Sequence, residues 1–296
     1  MRNKLFSLCL SLPIVISFFV TTLQQKRDPR KTDTGPSWAD SQATSIGFSS
    51  RRSGHFNLYS KDLISGKIEQ ITSDTVDQHY PVWSPDGNWI AYQTVVDGNQ
   101  EIFIRSTKSD QETNISNHPG RDGDDYPEWS KDSKSVYFTS RRNGNSDIFR
   151  KVIGKTGLEQ ITDDPADEMN PQLSPDGEQI AFARGGRGQF DIYIMKTDGS
   201  QLQQVTKSEL PEMFPTWHPD GNTLIYQTRM TRSQADIFRI NIDGSNEENI
   251  TNSEGVEFYP RISPDGKKIL YASPDDGDMD VYLLEIATGE ITQLTN

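Results

Sequence analysis

A prolyl step recurs six times along the chain at nearly constant spacing, and no other feature limits the possible folds so strongly. A large apolar residue follows each proline by two positions, and the prolines lie 45, 46, 44, 44 and 45 residues apart. The pairs are Pro36/Trp38, Pro81/Trp83, Pro127/Trp129, Pro171/Leu173, Pro215/Trp217 and Pro260/Ile262. A fixed period of this length is typical of solenoids and propellers. The chain is therefore expected to contain six copies of one structural unit.

Each unit contains four short segments typical of β-strands, separated by turns. Residues 84–87 read Ser-Pro-Asp-Gly, and related tetrapeptides follow the first segment of most other units. Proline presets φ for a type I turn, and Ser and Asp side chains bond to nearby backbone. Runs such as 90–92, 101–103 and 115–116, rich in β-branched and aromatic residues, complete the unit. The pattern predicts an all-β fold, a six-bladed β-propeller of four-stranded antiparallel blades.

The position of the proline indicates how the blades are arranged. It opens the first strand, which would line the central channel with an unpaired edge, where a missing N–H costs least. The Trp or its apolar substitute is expected to pack between neighbouring blades. Because the chain starts with a first strand and ends with a fourth, the ring would close by packing blade 1 on blade 6. Residues 23–35 are the alternative source of a closing strand.

The unit resembles the WD40-like repeat of TolB-like β-propellers, the PD40 family. The shared pattern is Pro-x-Trp-Ser-Pro-Asp-Gly, then Ile-Ala-Tyr/Phe, then Asp-Ile-Tyr/Phe, then a terminal Leu/Ile-Thr, over residues 36–296. The family's namesake carries an α/β domain before its propeller, and this chain has only a short segment there. The resemblance implies an interaction role in the periplasm or cell envelope. Similar repeats occur in propellers of serine peptidases and oligogalacturonate lyases, so the fold alone does not fix the function.

The N-terminal segment differs from everything after it. Arg2 and Lys4 precede an apolar run over residues 5–20, which is short for a membrane span and suits a signal-peptide core. We predict a signal peptide over 1–22, a short linker over 23–35 and the propeller over 36–296. Positive charges within 26–31 oppose translocation, so an uncleaved membrane anchor is the alternative. The predicted location is extracytoplasmic, in the periplasm, with membrane contact only through this segment.

Charge and cysteine content exclude some classes of function. The net charge is −13, and an acidic surface repels phosphate backbones, so we predict no nucleic-acid partner. Cys9 is the only cysteine and lies in the apolar run. The mature chain would therefore have no disulfide, thiol ligand or thiol nucleophile.

Acidic residues recur three positions before the inner-strand prolines, and aromatic residues recur one position before them. Sixfold symmetry would gather both sets at one mouth of the channel, where they would suit a cation, a basic peptide or a sugar. The predicted partner-binding ring consists of Asp33, Asp77 (beside Gln78), Asp124, Glu168, Glu212, Glu257, Tyr80, Tyr126, Phe214 and Tyr259. The alternative is structural: each acid bonds to its own loop or pairs with an arginine of the same face, such as Arg51, Arg141 or Arg229.

The remaining polar residues predict no catalytic centre. The turn aspartates repeat in nearly every unit, which favours a structural role. His55, His79 and His118 fall on one face without a metal-ligand spacing, and 276–280 lacks the glycine and final acid of a calcium loop. We predict no cofactor and no metal, although a bound cation such as calcium stays open.

The leading hypothesis is a non-catalytic protein-interaction module in a periplasmic or cell-envelope assembly. Its partner would be a protein or peptide, basic if the acidic ring binds it, with carbohydrate as an open alternative. The alternative function is a metal-dependent carbohydrate-active lyase or a related propeller enzyme.

Overall fold

The computed structural model describes residues 32–120, 123–274 and 277–296, and these form twenty-four β-strands and no α-helix. Within these ranges no helix is long and apolar enough to cross a membrane. The predicted signal peptide or anchor, and residues 23–31 of the predicted linker, lie outside the described residues. The first strand begins at Asp33, so the last three residues of that linker belong to the first blade.

The strands form six sheets, and each sheet contains four strands that are consecutive in the chain. Blade 1 contains β1 (Asp33–Trp38), β2 (Ser45–Ser50), β3 (Asn57–Asp62) and β4 (Ile68–Gln70); blade 2 contains β5 (Gln78–Trp83), β6 (Trp89–Val96), β7 (Asn99–Ser106) and β8 (Glu112–Asn114); blade 3 contains β9 (Asp124–Trp129), β10 (Ser135–Ser140), β11 (Asp147–Val152) and β12 (Glu159–Gln160); blade 4 contains β13 (Asp167–Leu173), β14 (Gln179–Gly186), β15 (Gln189–Lys196) and β16 (Gln203–Gln204); blade 5 contains β17 (Glu212–Trp217), β18 (Thr223–Arg229), β19 (Ala235–Asn241) and β20 (Glu248–Asn249); blade 6 contains β21 (Phe258–Ile262), β22 (Lys268–Ser273), β23 (Asp280–Glu285) and β24 (Glu290–Gln293). All pairings within these sheets are antiparallel, so the six-bladed, all-β prediction is confirmed.

The Ser-Pro-Asp-Gly turns close the first hairpin of the blades, as predicted. In blade 2 the Ser84 hydroxyl donates to the Asp86 carboxylate at 2.6 Å, and the Gly87 amide donates to the Ser84 carbonyl at 2.8 Å. Gly87 has a φ of 69°, a left-handed conformation that glycine adopts without steric cost. The repeated aspartates are therefore turn residues. These turns lie on one face of the propeller, which we call the turn face, and the segments joining successive blades lie on the opposite face.

Neighbouring blades are held together by apolar packing and by tryptophan. The Trp129 indole donates to the Val82 carbonyl of the preceding blade at 3.0 Å, and Trp217 donates to Gln172 in the same way at 3.0 Å. Gly47 leaves room for the neighbouring tryptophan, because a Cβ there would lie 1.9 Å from the Trp83 ring. The tryptophans therefore pack between blades, as the spacing predicted.

Blade 1 packs directly on blade 6. The Trp38 indole donates to the Arg261 carbonyl at 3.1 Å, and Phe48 lies in one buried cluster with Leu270 and Val281. Among the described residues, no strand from one end of the chain joins the sheet at the other end. Side-chain packing and hydrogen bonds between blades, including one from the Asp33 amide to the Met279 carbonyl at 2.6 Å, therefore close this part of the ring.

Candidate binding site at the channel mouth

Three consecutive positions before each inner-strand proline carry most of the predicted site. We name them, in chain order, the interblade, rim and axial positions. The interblade residues are Asp33, Gln78, Asp124, Glu168, Glu212 and Glu257; the rim residues are Thr34, His79, Asp125, Met169, Met213 and Phe258; the axial residues are Gly35, Tyr80, Tyr126, Asn170, Phe214 and Tyr259. The strand register shifts at this point in every blade. All six axial residues are left-handed, with φ between 53° and 60°.

The four aromatic axial residues meet at the centre of the channel. Ring centroids lie 4.8 Å apart for Tyr80–Tyr126, 5.5 Å for Tyr126–Phe214, 4.8 Å for Phe214–Tyr259 and 5.4 Å for Tyr259–Tyr80, so the cluster closes on itself. The tilted and edge-on geometries are those that aromatic pairs prefer. Left-handed φ is costly for bulky residues and persists only where the surroundings impose it. The bulge in each inner strand thus directs these side chains to the axis.

The aromatic cluster nearly fills the channel. Beneath it lies a cavity in which the centre of a water molecule can occupy a volume of about 20 Å³. This cavity can hold one water molecule and nothing larger. Asn170 lines this cavity and is 4% exposed, and its amide nitrogen and oxygen have no hydrogen-bond partner among the described residues. A sugar or peptide could therefore contact this mouth only above the aromatic rings.

The acidic residues do not lie at the mouth, which corrects the predicted placement. The interblade residues Asp33, Asp124, Glu168, Glu212 and Glu257 are all between 0% and 2% exposed, and Gln78 is equally buried. All of them except Glu257 lie inside a strand rather than in a loop, and Glu257 immediately precedes one. Their carboxylates therefore cannot form an open acidic ring.

Five of the six interblade residues bond instead to the preceding blade, whereas Asp124 bonds to Arg142 of its own blade. A Thr or Ser hydroxyl after each fourth strand accepts from a third-strand amide at 2.8–3.0 Å; these are Thr72, Ser116, Thr162, Thr206, Thr251 and Thr295. The Thr251 hydroxyl also donates to Glu257 at 3.2 Å, and Thr72 donates to Gln78. Comparable hydroxyl bonds reach Asp33, Glu168 and Glu212. The terminal Thr of the repeat and the acid of the next repeat thus form one structural contact.

Three of the interblade acids also pair with arginine. Arg52 contacts Asp33 at 2.7 Å, Arg142 contacts both oxygens of Asp124 at 3.1 Å, and Arg184 contacts Glu168 at 3.0 Å. Each guanidinium also lies over an aromatic ring, as Arg142 does 4.9 Å from the centroid of Phe149. These are the arginines that sequence reasoning missed, since it named Arg51, Arg141 and Arg229.

Burial raises the pKa of two interblade acids, Glu212 without an arginine partner and Glu168 beside Arg184. Burial raises the pKa of Glu212 to about 7, although hydroxyls of Thr206 and Ser208 bond to its carboxylate. Burial likewise raises the pKa of Glu168 to about 8, and the nearby Asp164 carboxylate adds to the effect. Blade 2 places the uncharged Gln78 in the same position. An uncharged side chain can therefore satisfy this contact.

The mouth surface is built mainly by the rim positions. Met169, Met213, Phe258, His79 and Asp125 are all half-buried around the aromatic cluster. Asp125 accepts from the Gln93 amide at 2.5 Å, and burial raises its pKa to about 6. The sequence analysis did not single out the rim, although its fixed place between the acidic and the aromatic position was a usable signal.

Asp77, the tenth predicted site residue, lies outside the buried ring. Its carboxylate accepts from the Phe56 amide at 2.9 Å and lies 3.6 Å from His55 Nδ1, with 41% of its side chain exposed. The loops after the second strands, on the same face, carry exposed arginines: Arg51, Arg141, Arg187, Arg229 and Arg232. The face therefore has an apolar centre and a mixed-charge margin that includes these arginines.

The described residues contain no group of three or more His, Cys, Asp or Glu side chains suited to a metal. His79 packs 4.5 Å from Phe56, and His218 lies 2.9 Å from Asp220 on the turn face. Asp276, which begins the calcium-like sequence, lies outside the described residues, and Asp280 is hydrogen-bonded to Thr295 and Gln293.

Several solved structures share the fold of this chain. TolB from Acinetobacter baumannii superposes with a TM-score of 0.73 at 19% identity over 86% of this chain, which spans 64% of that protein. A putative TolB from Agrobacterium tumefaciens gives 0.67 at 23% identity, over 79% of this chain and 86% of its own. An oligogalacturonate lyase in complex with manganese gives 0.63 at 16% identity, over 91% of this chain and 79% of its own. These likenesses show the fold alone.

Sequence comparison identifies the family. No curated protein matches the chain significantly. The profile described as "TolB beta propeller domain" matches residues 34–256 and 194–296. Together these ranges cover all described strands except for Asp33, the first residue of β1. The chain therefore belongs to the TolB beta propeller domain family.

Proposed function

We propose that this protein is an exported, non-catalytic interaction module that docks a protein or peptide on the channel mouth. The half-buried aromatic and methionine surface formed by the axial and rim residues carries this proposal. The apolar run over 5–20, within the predicted signal peptide, supports export, with the periplasm as the location. A role in a cell-envelope assembly is supported by family membership.

The composition of the mouth favours a protein partner. Protein interfaces are enriched in Tyr, Phe, Met and Arg and depleted in Lys and Glu. Here the centre contains Tyr80, Tyr126 and Phe214 beside Met169 and Met213, and exposed arginines lie in the surrounding loops. Methionine adapts its shape to different partners, which suits a docking surface.

Burial of the acids changes the expected chemistry of the partner. A basic peptide was expected on the assumption that the carboxylates of the predicted ring, including those of the five interblade acids, faced the opening. Since those carboxylates lie 0–2% exposed between blades, the partner should instead present apolar side chains to the centre of the mouth. No observation specifically favours the carbohydrate-lyase alternative over docking.

The experiment compares three forms of the full-length protein in retention of envelope-fraction proteins from the organism that makes it. In the mouth variant, Met169→Gln and Met213→Gln replace two rim methionines with polar side chains of similar length. In the control, Ile64→Gln and Leu202→Gln make the same kind of change on the turn face, where these side chains are 82% and 49% exposed. We expect a discrete partner that is retained by the wild type and the control and lost by the mouth variant.

Binding must then be repeated with the purified partner. Equal retention by the mouth variant and the control would contradict the proposed surface. A partner bound by the wild type and the mouth variant but lost by the turn-face control would place docking on the other side of the propeller.

A further inference from the structure

A second ring of side chains lines the channel on the side of the turns. It lies one position after each inner-strand proline and consists of Ser37, Val82, Glu128, Gln172, Thr216 and Arg261. We call it the channel ring. It forms the floor of a funnel of about 310 Å³ that opens on the turn face. A volume at the lower end of the usual range of small-ligand sites suits a small organic group rather than a folded domain.

Arg261 is the unusual member of this ring. Its guanidinium crosses the channel toward Glu128, but the closest approach, Nη1 to Oε2, is 3.9 Å, too long for a hydrogen bond. The side chain of Arg261 donates no hydrogen bond to any described residue. Glu128 accepts instead from the Gln172 amide at 2.5 Å. A guanidinium has five N–H donors, so the half-buried Arg261, with 23% of its side chain exposed to the funnel, has unused binding capacity.

A second observation also points to a ligand. Ser37, on the blade beside Arg261, is 4% exposed and lines the same funnel, and its hydroxyl has no hydrogen-bond partner among the described residues. Buried polar groups are normally paired, and leaving one unpaired costs free energy. Ser37 and Arg261 are thus neighbouring donors that face one space without a protein acceptor.

We propose that the channel ring binds a carboxylate that enters from the turn face, with Arg261 as its main partner and the Ser37 hydroxyl as an additional donor. The planar guanidinium matches a carboxylate with two parallel hydrogen bonds. The funnel lining also includes Trp38 and Trp83, both half-buried, which would contact an apolar or ring-shaped body attached to that carboxylate. This site is separate from the channel mouth, because the aromatic cluster lies between them.

Glu128 is the internal competitor for Arg261. It is the only other charged group of the ring, and the remaining members, Ser37, Val82, Gln172 and Thr216, are uncharged. Burial raises the pKa of Glu128 to about 7. Below about pH 7 it is mostly neutral and Arg261 lacks a counter-charge, so an external carboxylate should bind more tightly there than at higher pH.

The test measures fluorine NMR line broadening of trifluoroacetate, a small carboxylate that stays ionised, as it binds to the full-length protein. We expect saturable broadening that acetate reverses. Arg261→Gln should weaken binding about tenfold or more, since charge-assisted pairs are the strong ones. Arg239→Gln, which removes an exposed arginine paired with Glu248 on the outside of blade 5, should leave it unchanged.

Glu128→Gln provides an independent arm, because Arg261→Gln could fail to fold. Well above pH 7, where Glu128 is mostly ionised, removing its carboxylate should tighten trifluoroacetate binding about tenfold, and the pH dependence near neutrality should disappear. Absence of saturable broadening in the wild type would overturn the proposal. So would unchanged binding in a folded Arg261→Gln variant, or unchanged binding in Glu128→Gln well above pH 7.

The source of the carboxylate is distinguished by competition. A dipeptide with a free C-terminus tests a chain terminus, and a digalacturonate tests an acidic sugar. Displacement of trifluoroacetate by one of them assigns the source and supports the site. Displacement by neither would contradict a site for a carboxylate attached to a larger apolar or ring-shaped body.

Discussion

The interblade and axial positions are two residues apart in every blade, yet they differ in almost every physical respect. The interblade residues are at most 2% exposed and bond to a hydroxyl of the preceding blade or to an arginine, whereas the aromatic axial residues are half-buried and contact one another across the channel. In the sequence both sets looked like one ring. The comparison teaches that a polar residue repeated in every blade can have a structural role, in the contact between one blade and the next.

The variation at the two positions follows this difference. The interblade position is acidic or Gln in all six blades, because each must accept hydrogen bonds from a hydroxyl or an arginine. The axial position keeps the same left-handed backbone with Gly, Tyr, Asn or Phe. Six side chains share one axis there, so they cannot all be large: Gly35 leaves space that Tyr80 occupies, since a Cβ would lie 2.9 Å from its ring.

The largest expected effect comes from breaking an interblade ion pair. Asp124→Ala removes the partner of Arg142, whose side chain is only 12% exposed. Leaving one charge of a buried pair unpaired costs about 3–5 kcal/mol, and we expect a loss of that order in the free energy of unfolding. Urea unfolding measures it. As a control, Asp163→Ala removes an exposed carboxylate and should change the free energy of unfolding by about 0.5 kcal/mol or less. Equal effects of the two substitutions would contradict a structural role for Asp124.

A smaller effect, dependent on pH, is expected at Glu212. Its pKa rises from an ordinary 4.5 to about 7 on folding, so the folded protein keeps a proton that the unfolded chain has lost. The stability from this group is complete below about pH 4.5, falls as pH rises to about 7, and is absent above it. Glu212→Gln stays uncharged, as Gln78 does in blade 2, and should flatten this part of the profile. Thermal unfolding across this range measures it, and identical profiles would mean that Glu212 is ionised when folded.

Much of the fold could be predicted from the sequence, because the repeat reports directly on local structure. The proline, the Ser-Pro-Asp-Gly turn and the strand runs each act within a few residues, and their sixfold recurrence fixed the number of blades. Packing of the tryptophans between blades also followed from their spacing.

The candidate site was harder to predict, because burial depends on contacts between repeats. Asp124 is buried because Arg142, eighteen residues later, and Ser116 of the preceding blade region both lie beside it. Glu128 and Arg261 approach each other only because blades 3 and 6 lie on opposite sides of the channel. The two residues are far apart in the sequence, so their contact becomes visible only when the ring of blades is closed. The aromatic residues were placed correctly because their position next to the proline is local.

The affinity of the purified partner for two variants tests the central claim most directly. Glu212→Gln changes an interblade residue and should remain folded, whereas the double variant Met169→Gln/Met213→Gln changes the rim. We predict that Glu212→Gln binds as the wild type does and that the rim variant binds at least about tenfold more weakly, equivalent to about 1.4 kcal/mol. Loss of affinity in a folded Glu212→Gln protein, with wild-type affinity in the rim variant, would contradict the assignment of structure to the acids and binding to the mouth.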